Sequence, residues 1–98
     1  MNFTDKVAVV TGGASGIGAA CARNFAARGA RVVVTDLNGD GAKAVAEEIG
    51  GLGVPCNVGD EAEVDSLVAA AEAAYGPIDI FFSNAGINSG REILNTDL

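Results

Sequence analysis

An α/β fold built on a parallel sheet is what this chain predicts. Short β-branched runs alternate with longer alanine-rich stretches of helical character, and a fourth apolar run follows the third helical stretch. The strand-like runs are apolar on both faces, as in a sheet covered on each side. The first of them leads directly into a glycine-rich turn and then a helix. Alternation of this kind calls for right-handed crossovers between parallel strands.

Each element can be justified in turn. KVAVVT (6–11) is a buried central strand. GIGAACARNFAAR (16–28) is helix-prone and stops at Gly29. RVVVT (31–35) is a second buried strand. GAKAVAEEI (41–49) sets Ala42, Val45, Ala46 and Ile49 on one helical face and halts at Gly50-Gly51. GVPCNV (53–58) is a third strand, placed at a sheet edge because Pro55 cannot donate to a ladder. Asp60 and Glu63 have the spacing of a capping box. The helix behind them carries Val64, Leu67, Val68, Ala71 and Tyr75 on one stripe and ends at Gly76-Pro77. IDIFFS (78–83) is the fourth strand, followed by the loop NAGINSG and the start of another helix.

A doubly wound sheet of this composition has the order 3-2-1-4, with a crevice between strands 1 and 4 where the winding reverses. Strand 4 would then be an apolar edge, and the chain by itself is expected to self-associate.

Composition narrows the function. Apolar residues make up 49% of the chain and charged residues 19%, a globular balance. The net charge of −7 argues against a nucleic-acid or anionic-membrane partner, since phosphates would be repelled. There is no histidine, and the two cysteines, Cys21 and Cys56, are 35 residues apart, so a zinc site lacks ligands. Both cysteines are expected to be buried reduced thiols. Apolar runs reach only about five residues, too short to span a membrane. The N-terminus has no signal-peptide pattern, and a cytoplasmic location is expected.

The turn after the first strand is TGGASGIG, with Gly12, Gly13, Gly16 and Gly18 among its eight residues. Glycine allows a sharp turn and lets bare backbone approach a pyrophosphate. A helix beginning there points free N–H groups and its positive dipole end at those phosphates. Asp36 lies 18 residues beyond Gly18, at the end of the second strand. This is the arrangement of a Rossmann-like dinucleotide site, in which the acid accepts from the ribose hydroxyls. Residues 36–47 also fit a calcium loop, with Asp36, Asn38, Asp40, Gly41 and Glu47 on ligand positions. A calcium loop needs a helix before it, and ARVVVT is a β-branched strand, so the nucleotide reading is preferred. A 2′-phosphate would be repelled by Asp36, and neither Ser15 nor Leu37 offers a positive charge, which favours NAD over NADP.

T-G-x-x-x-G-x-G at 11–18, Asp36 and the Asn-Ala-Gly at 84–86 together resemble the short-chain dehydrogenase/reductase family, over the whole 98 residues. The glycine spacing is similar to the oxidoreductase branch rather than the sugar-epimerase branch. The resemblance implies that residues 1–98 are the N-terminal part of a single NAD(P)-binding Rossmann domain. It implies that Gly12, Gly16 and Gly18 line the pyrophosphate turn, with the Ser15 and Ile17 backbone nearby. Asn57 and Val58 would lie beside the adenine, where the family usually has Asp-Val. Asn84, Ala85 and Gly86 would meet the nicotinamide-side ribose and fix the central strands; Ser83 stands where Asn is commoner.

Family members oxidise alcohols or reduce ketones by hydride transfer, using a Tyr, a Lys four residues later and a Ser. Here the only Tyr is Tyr75, the residue four later is Asp79, and the only lysines are Lys6 and Lys43. No catalytic residue is therefore assigned within the chain, which is expected to be inactive alone. The parent enzyme is expected to take a small alcohol or ketone substrate and to form a homo-oligomer. A nucleotide-binding or regulatory module without chemistry is the alternative.

Overall fold

The computed structural model describes residues 2–84. The loop and helix start expected beyond Asn84 lie outside them. Seven elements follow one another: β1 (Val7–Thr11), α1 (Gly16–Ala27), β2 (Arg31–Asp36), α2 (Gly39–Ile49), β3 (Leu52–Pro55), α3 (Glu61–Tyr75) and β4 (Ile80–Ser83). The strands form one parallel sheet in the order β3-β2-β1-β4, as expected.

Valines on both faces of the two inner strands divide the core into two layers. Val10, Val32 and Val34 meet Ala19 and Ala22 of α1 and Ala42, Val45 and Ala46 of α2. On the opposite face Val9 and Val33 pack with Cys56 and with Leu67 and Ala71 of α3. Small alanines on α1 and α2 let those helices sit close to the sheet, whereas Leu67 supplies the bulk under α3. Leu67 is fully buried, a burial that contributes about 1.5–3 kcal/mol. Tyr75 is half-buried at the margin of this second layer, packed against it as the stripe predicts.

Several boundaries differ from the sequence expectation, each for a local reason. α2 begins at Gly39 rather than Gly41, because Asn38 caps it: the Asn38 side chain accepts the Gly41 N–H at 3.0 Å. β3 ends at Pro55 rather than Val58. Its last link is the Cys56 N–H donating to the Asp36 carbonyl at 3.1 Å, after which Asn57 turns the chain toward Gly59. β4 starts at Ile80 rather than Ile78. The Asp79 N–H donates to the Val7 carbonyl at 2.9 Å, while the Asp79 carboxylate accepts the Val7 N–H at 2.9 Å, so a side chain takes the place of a strand carbonyl. The capping box is half formed. Asp60 accepts from the N–H groups of Ala62 and Glu63, but Glu63 reaches the Asn57 N–H at 2.8 Å instead of its own cap. The Asp60 N–H is already committed to the Asn57 carbonyl at 3.0 Å.

Of the two cysteines, Cys56 is buried and Cys21 only half-buried; both are free. Burial pushes both thiols up, and the Glu63 charge adds to the effect at Cys56. Outside the core, Arg23 of α1 makes a two-pronged ion pair with Glu48 of α2, at 2.7 and 3.1 Å. No helix among the described residues is long and apolar enough to cross a membrane.

Within the described sheet β4 forms an edge, and Phe81 on it is 37% exposed. The 98-residue chain should therefore self-associate through strand pairing as its concentration rises. Sedimentation velocity across a concentration series checks this, and a monomer throughout would contradict it.

Candidate functional site

The site lies where the sheet changes its direction of winding. β1 pairs with β2 on one side and β4 on the other, so the C-terminal ends of β1 and β4 flank a crevice. Thr11 ends β1, and Gly12 turns the chain with a φ of 64°, a left-handed conformation that favours glycine. α1 starts at Gly16 with Ser15 as its cap.

The Gly12 carbonyl organises the turn. It accepts the Ser15 N–H at 3.1 Å, the Ser15 hydroxyl at 2.8 Å and the Asn84 side-chain N–H at 3.2 Å. Ser15 Oγ in turn accepts from the Gly18 N–H at 3.2 Å and from Asn84 Nδ2 at 3.0 Å. Asn84, 95% buried by its 5% exposure, thus bridges the two lips of the crevice. Its own N–H donates to Thr11 Oγ1 at 2.9 Å, which ties the end of β4 to the end of β1.

Gly18 is buried directly against this carbonyl. A Cβ there would lie 2.1 Å from the Gly12 oxygen and 2.7 Å from its carbon. Gly16 is the opposite case: a Cβ would meet nothing within 4 Å. Ser15, Gly16 and Ile17 are exposed, Ile17 to 56%. Gly13 and Ala14 are anchored to β2, through the Thr35 carbonyl at 2.9 Å and through Asp36 Oδ2 at 2.9 Å. That leaves the N–H groups of Gly16 and Ile17, in the first turn of α1, without an acceptor among the described residues. Two outward-facing amides at the positive end of a helix can receive an anion.

Asp36 ends β2 half-buried, its second oxygen accepting the Asn38 N–H at 3.0 Å. A strand precedes it, as the nucleotide reading requires and a calcium loop does not allow. The carboxylate faces the glycine turn, while Leu37 beside it is 75% exposed. Among the expected site residues, Gly12, Ser15, Gly16, Ile17, Gly18, Asp36 and Asn84 are gathered here. Asn57 and Val58 stand apart, exposed beyond the end of β3, and among the described residues no hydrogen bond joins them to the glycine turn. Asn57 Oδ1 accepts the Gly59 N–H at 2.9 Å, leaving one lone pair outward. Ala85 and Gly86 lie outside the described residues.

Two features escaped the sequence reading. The Ser15 hydroxyl as a helix cap was visible in principle, as a Ser placed three residues before the amide it satisfies. Asn84 was expected to fix the central strands, but its particular partners, Gly12 and Ser15, carry no local signal, being 72 and 69 residues away.

The contact between Gly18 and the Gly12 carbonyl can be tested directly. Gly18→Ala should lower stability by about 1–3 kcal/mol, since the added methyl must displace backbone. Urea denaturation measures this, and an unchanged midpoint would refute it.

Comparison with known proteins agrees with this geometry. The family model described as short chain dehydrogenase matches residues 6–98. A (+)-cis,trans-nepetalactol synthase of Nepeta racemosa is 48% identical over 97 residues, covering 95% of this chain and 36% of that protein. The D-threitol dehydrogenase of Mycolicibacterium smegmatis is 47% identical over 87 residues, 84% of this chain and 34% of its own length. The crystal structure of a hydroxysteroid dehydrogenase from Escherichia coli superimposes with a TM-score of 0.83 at 37% identity, over 87% of this chain and 37% of that one. The chain thus spans little more than a third of the relatives it matches, and it belongs to the short-chain dehydrogenase family.

Proposed function

We propose that residues 1–98 form the adenine-side half of an NAD site, in a protein that oxidises an alcohol or reduces a ketone by hydride transfer. The observation that carries this reading is the Asp36 carboxylate, held at the end of β2 and facing the glycine turn. Each of its oxygens has one bond from a backbone amide and a second lone pair for a hydroxyl, so adjacent ribose hydroxyls can both be accepted. Its charge opposes a 2′-phosphate, and the chain carries no lysine or arginine between Lys6 and Arg23 to offset that.

The residues present suit the diphosphate as well. The free amides of Gly16 and Ile17 are donors of the required kind, and the open space over Gly16 lets an anion approach the backbone. Gly12 and Gly18 shape that backbone, and Ser15 holds it. Asn57 and Val58 would border the adenine, with the outward lone pair of Asn57 accepting its amino group. Asn84, with Ala85 and Gly86, would meet the second ribose.

When bound, the nicotinamide supplies or takes up the hydride. This chain's residues would bind and orient; its sequence holds no Tyr with a Lys four residues later to serve as the proton donor. Tyr75 is committed to packing, and Asp79 to the Val7 amide. Neither is therefore assigned proton transfer. The dehydrogenases among the relatives support hydride chemistry on alcohols, each by its own name.

Calorimetry on the chain should give NAD an affinity at least about tenfold above NADP, and Asp36→Ser should erase that preference. Equal affinities in the unaltered chain would sink the choice of cofactor. Gly16→Ala should leave the melting temperature unchanged or slightly raised, by up to about 1 kcal/mol of stability, yet weaken NAD binding because its methyl enters the diphosphate's space. Undiminished NAD binding in that variant would count against phosphate at the turn.

A further inference from the structure

Ribose recognition does not require the two bonds that Asp36 makes to the protein. Oδ2 accepts the Ala14 N–H, from the middle of the glycine turn and 22 residues back in the chain. Oδ1 accepts the Asn38 N–H, from the cap of α2. The neighbouring amide, Gly13 N–H, donates to the Thr35 carbonyl. Two successive amides of the turn are therefore held by two successive residues of β2. Ser15 N–H and Oγ close the turn from the other side onto Gly12. With 13–15 held in this way, the orientation of the next two peptides is set, and those carry the free N–H groups of Gly16 and Ile17.

We propose that Asp36 is a positioning residue for the diphosphate turn, acting through Ala14, in addition to any contact with ribose. This rests on the reading above that the turn receives a diphosphate. The carboxylate clamps the turn before a ligand arrives, so recognition of the sugar and of the phosphates is coupled through one side chain. The clamp has a consequence opposite in sign to simple electrostatics. A carboxylate near an anion repels it, so its removal by charge alone should tighten the binding of a bare diphosphate. Loss of a clamp should weaken it, because the two donor amides are no longer held in place.

The experiment uses the 98-residue chain and inorganic pyrophosphate, which has no ribose for Asp36 to touch. In titrations followed by amide NMR, Asp36→Ala should bind pyrophosphate at least about threefold more weakly than the unaltered chain, given the strength of amide bonds to a carboxylate. Binding that is equal or tighter overturns the clamp while leaving ribose recognition standing. If the unaltered chain binds neither pyrophosphate nor NAD, both readings fall. Hydrogen exchange without ligand gives a second, independent readout. The Ala14 amide should exchange at least about tenfold faster in Asp36→Ala, while the Val9 and Val33 amides of the inner strands keep their protection. Unchanged Ala14 exchange overturns the proposal. Should the alanine variant unfold, Asp36→Val serves in both measurements, since its side chain suits a strand end and accepts neither N–H donor.

Discussion

Helix α1 leaves the sheet at a point where two stretches of main chain touch with no side chain between them. Gly18, in the first turn of the helix, rests on the carbonyl of Gly12, the first residue past β1. Much of the site follows from that contact. The helix can begin close to the sheet, so its first amides sit at the mouth of the crevice rather than above it. The same carbonyl collects the Ser15 amide, the Ser15 hydroxyl and the Asn84 side chain, which joins the ends of β1 and β4 to the helix start. A methyl group at residue 18 would strike backbone atoms, which have little room to move within a packed layer.

On the proposed reading, the surroundings of that contact explain why the phosphate's donors are backbone groups. The chain carries a net charge of −7, and an acid stands beside the turn. A diffuse field would repel an anionic ligand here. Only short-range, directed N–H groups and a helix dipole can favour a phosphate against that background, and both act over the first turn of the helix. Firm orientation of the amides then matters more than it would beside lysines or arginines, whose charges attract from any angle. The ties from β2 and β4 to the turn supply that firmness.

The two faces of the sheet divide the work. α1 and α2 lie on alanine-rich surfaces against Val10, Val32 and Val34, which brings their N-terminal ends near the strand ends. α3 covers the other face with Leu67 and Ala71. Tyr75, the chain's lone tyrosine, is held on that second face as a packing residue. The glycine turn and Asp36 thus lie at the strand ends, while the Tyr75 ring packs in the layer under α3.

Local pattern was enough for the class of fold, the strand order and the glycine turn, because β-branched runs, alanine-rich helices and glycine clusters act over a few residues. The same holds for the place of Asp36 at the end of a strand and for the edge position of Pro55, each a consequence of short-range sterics. Long-range partners were beyond it. Asp79 stands in for a strand carbonyl only because Val7 lies across from it, and Glu63 turns to the Asn57 amide because the Asp60 amide is already taken by the Asn57 carbonyl. The bridge from Asn84 to Gly12 and Ser15, and that from Asp36 to Ala14, exist only once separate strands are side by side. Hydrogen bonds between residues distant in the chain depend on where folding brings them, and no periodicity in the sequence encodes that separation.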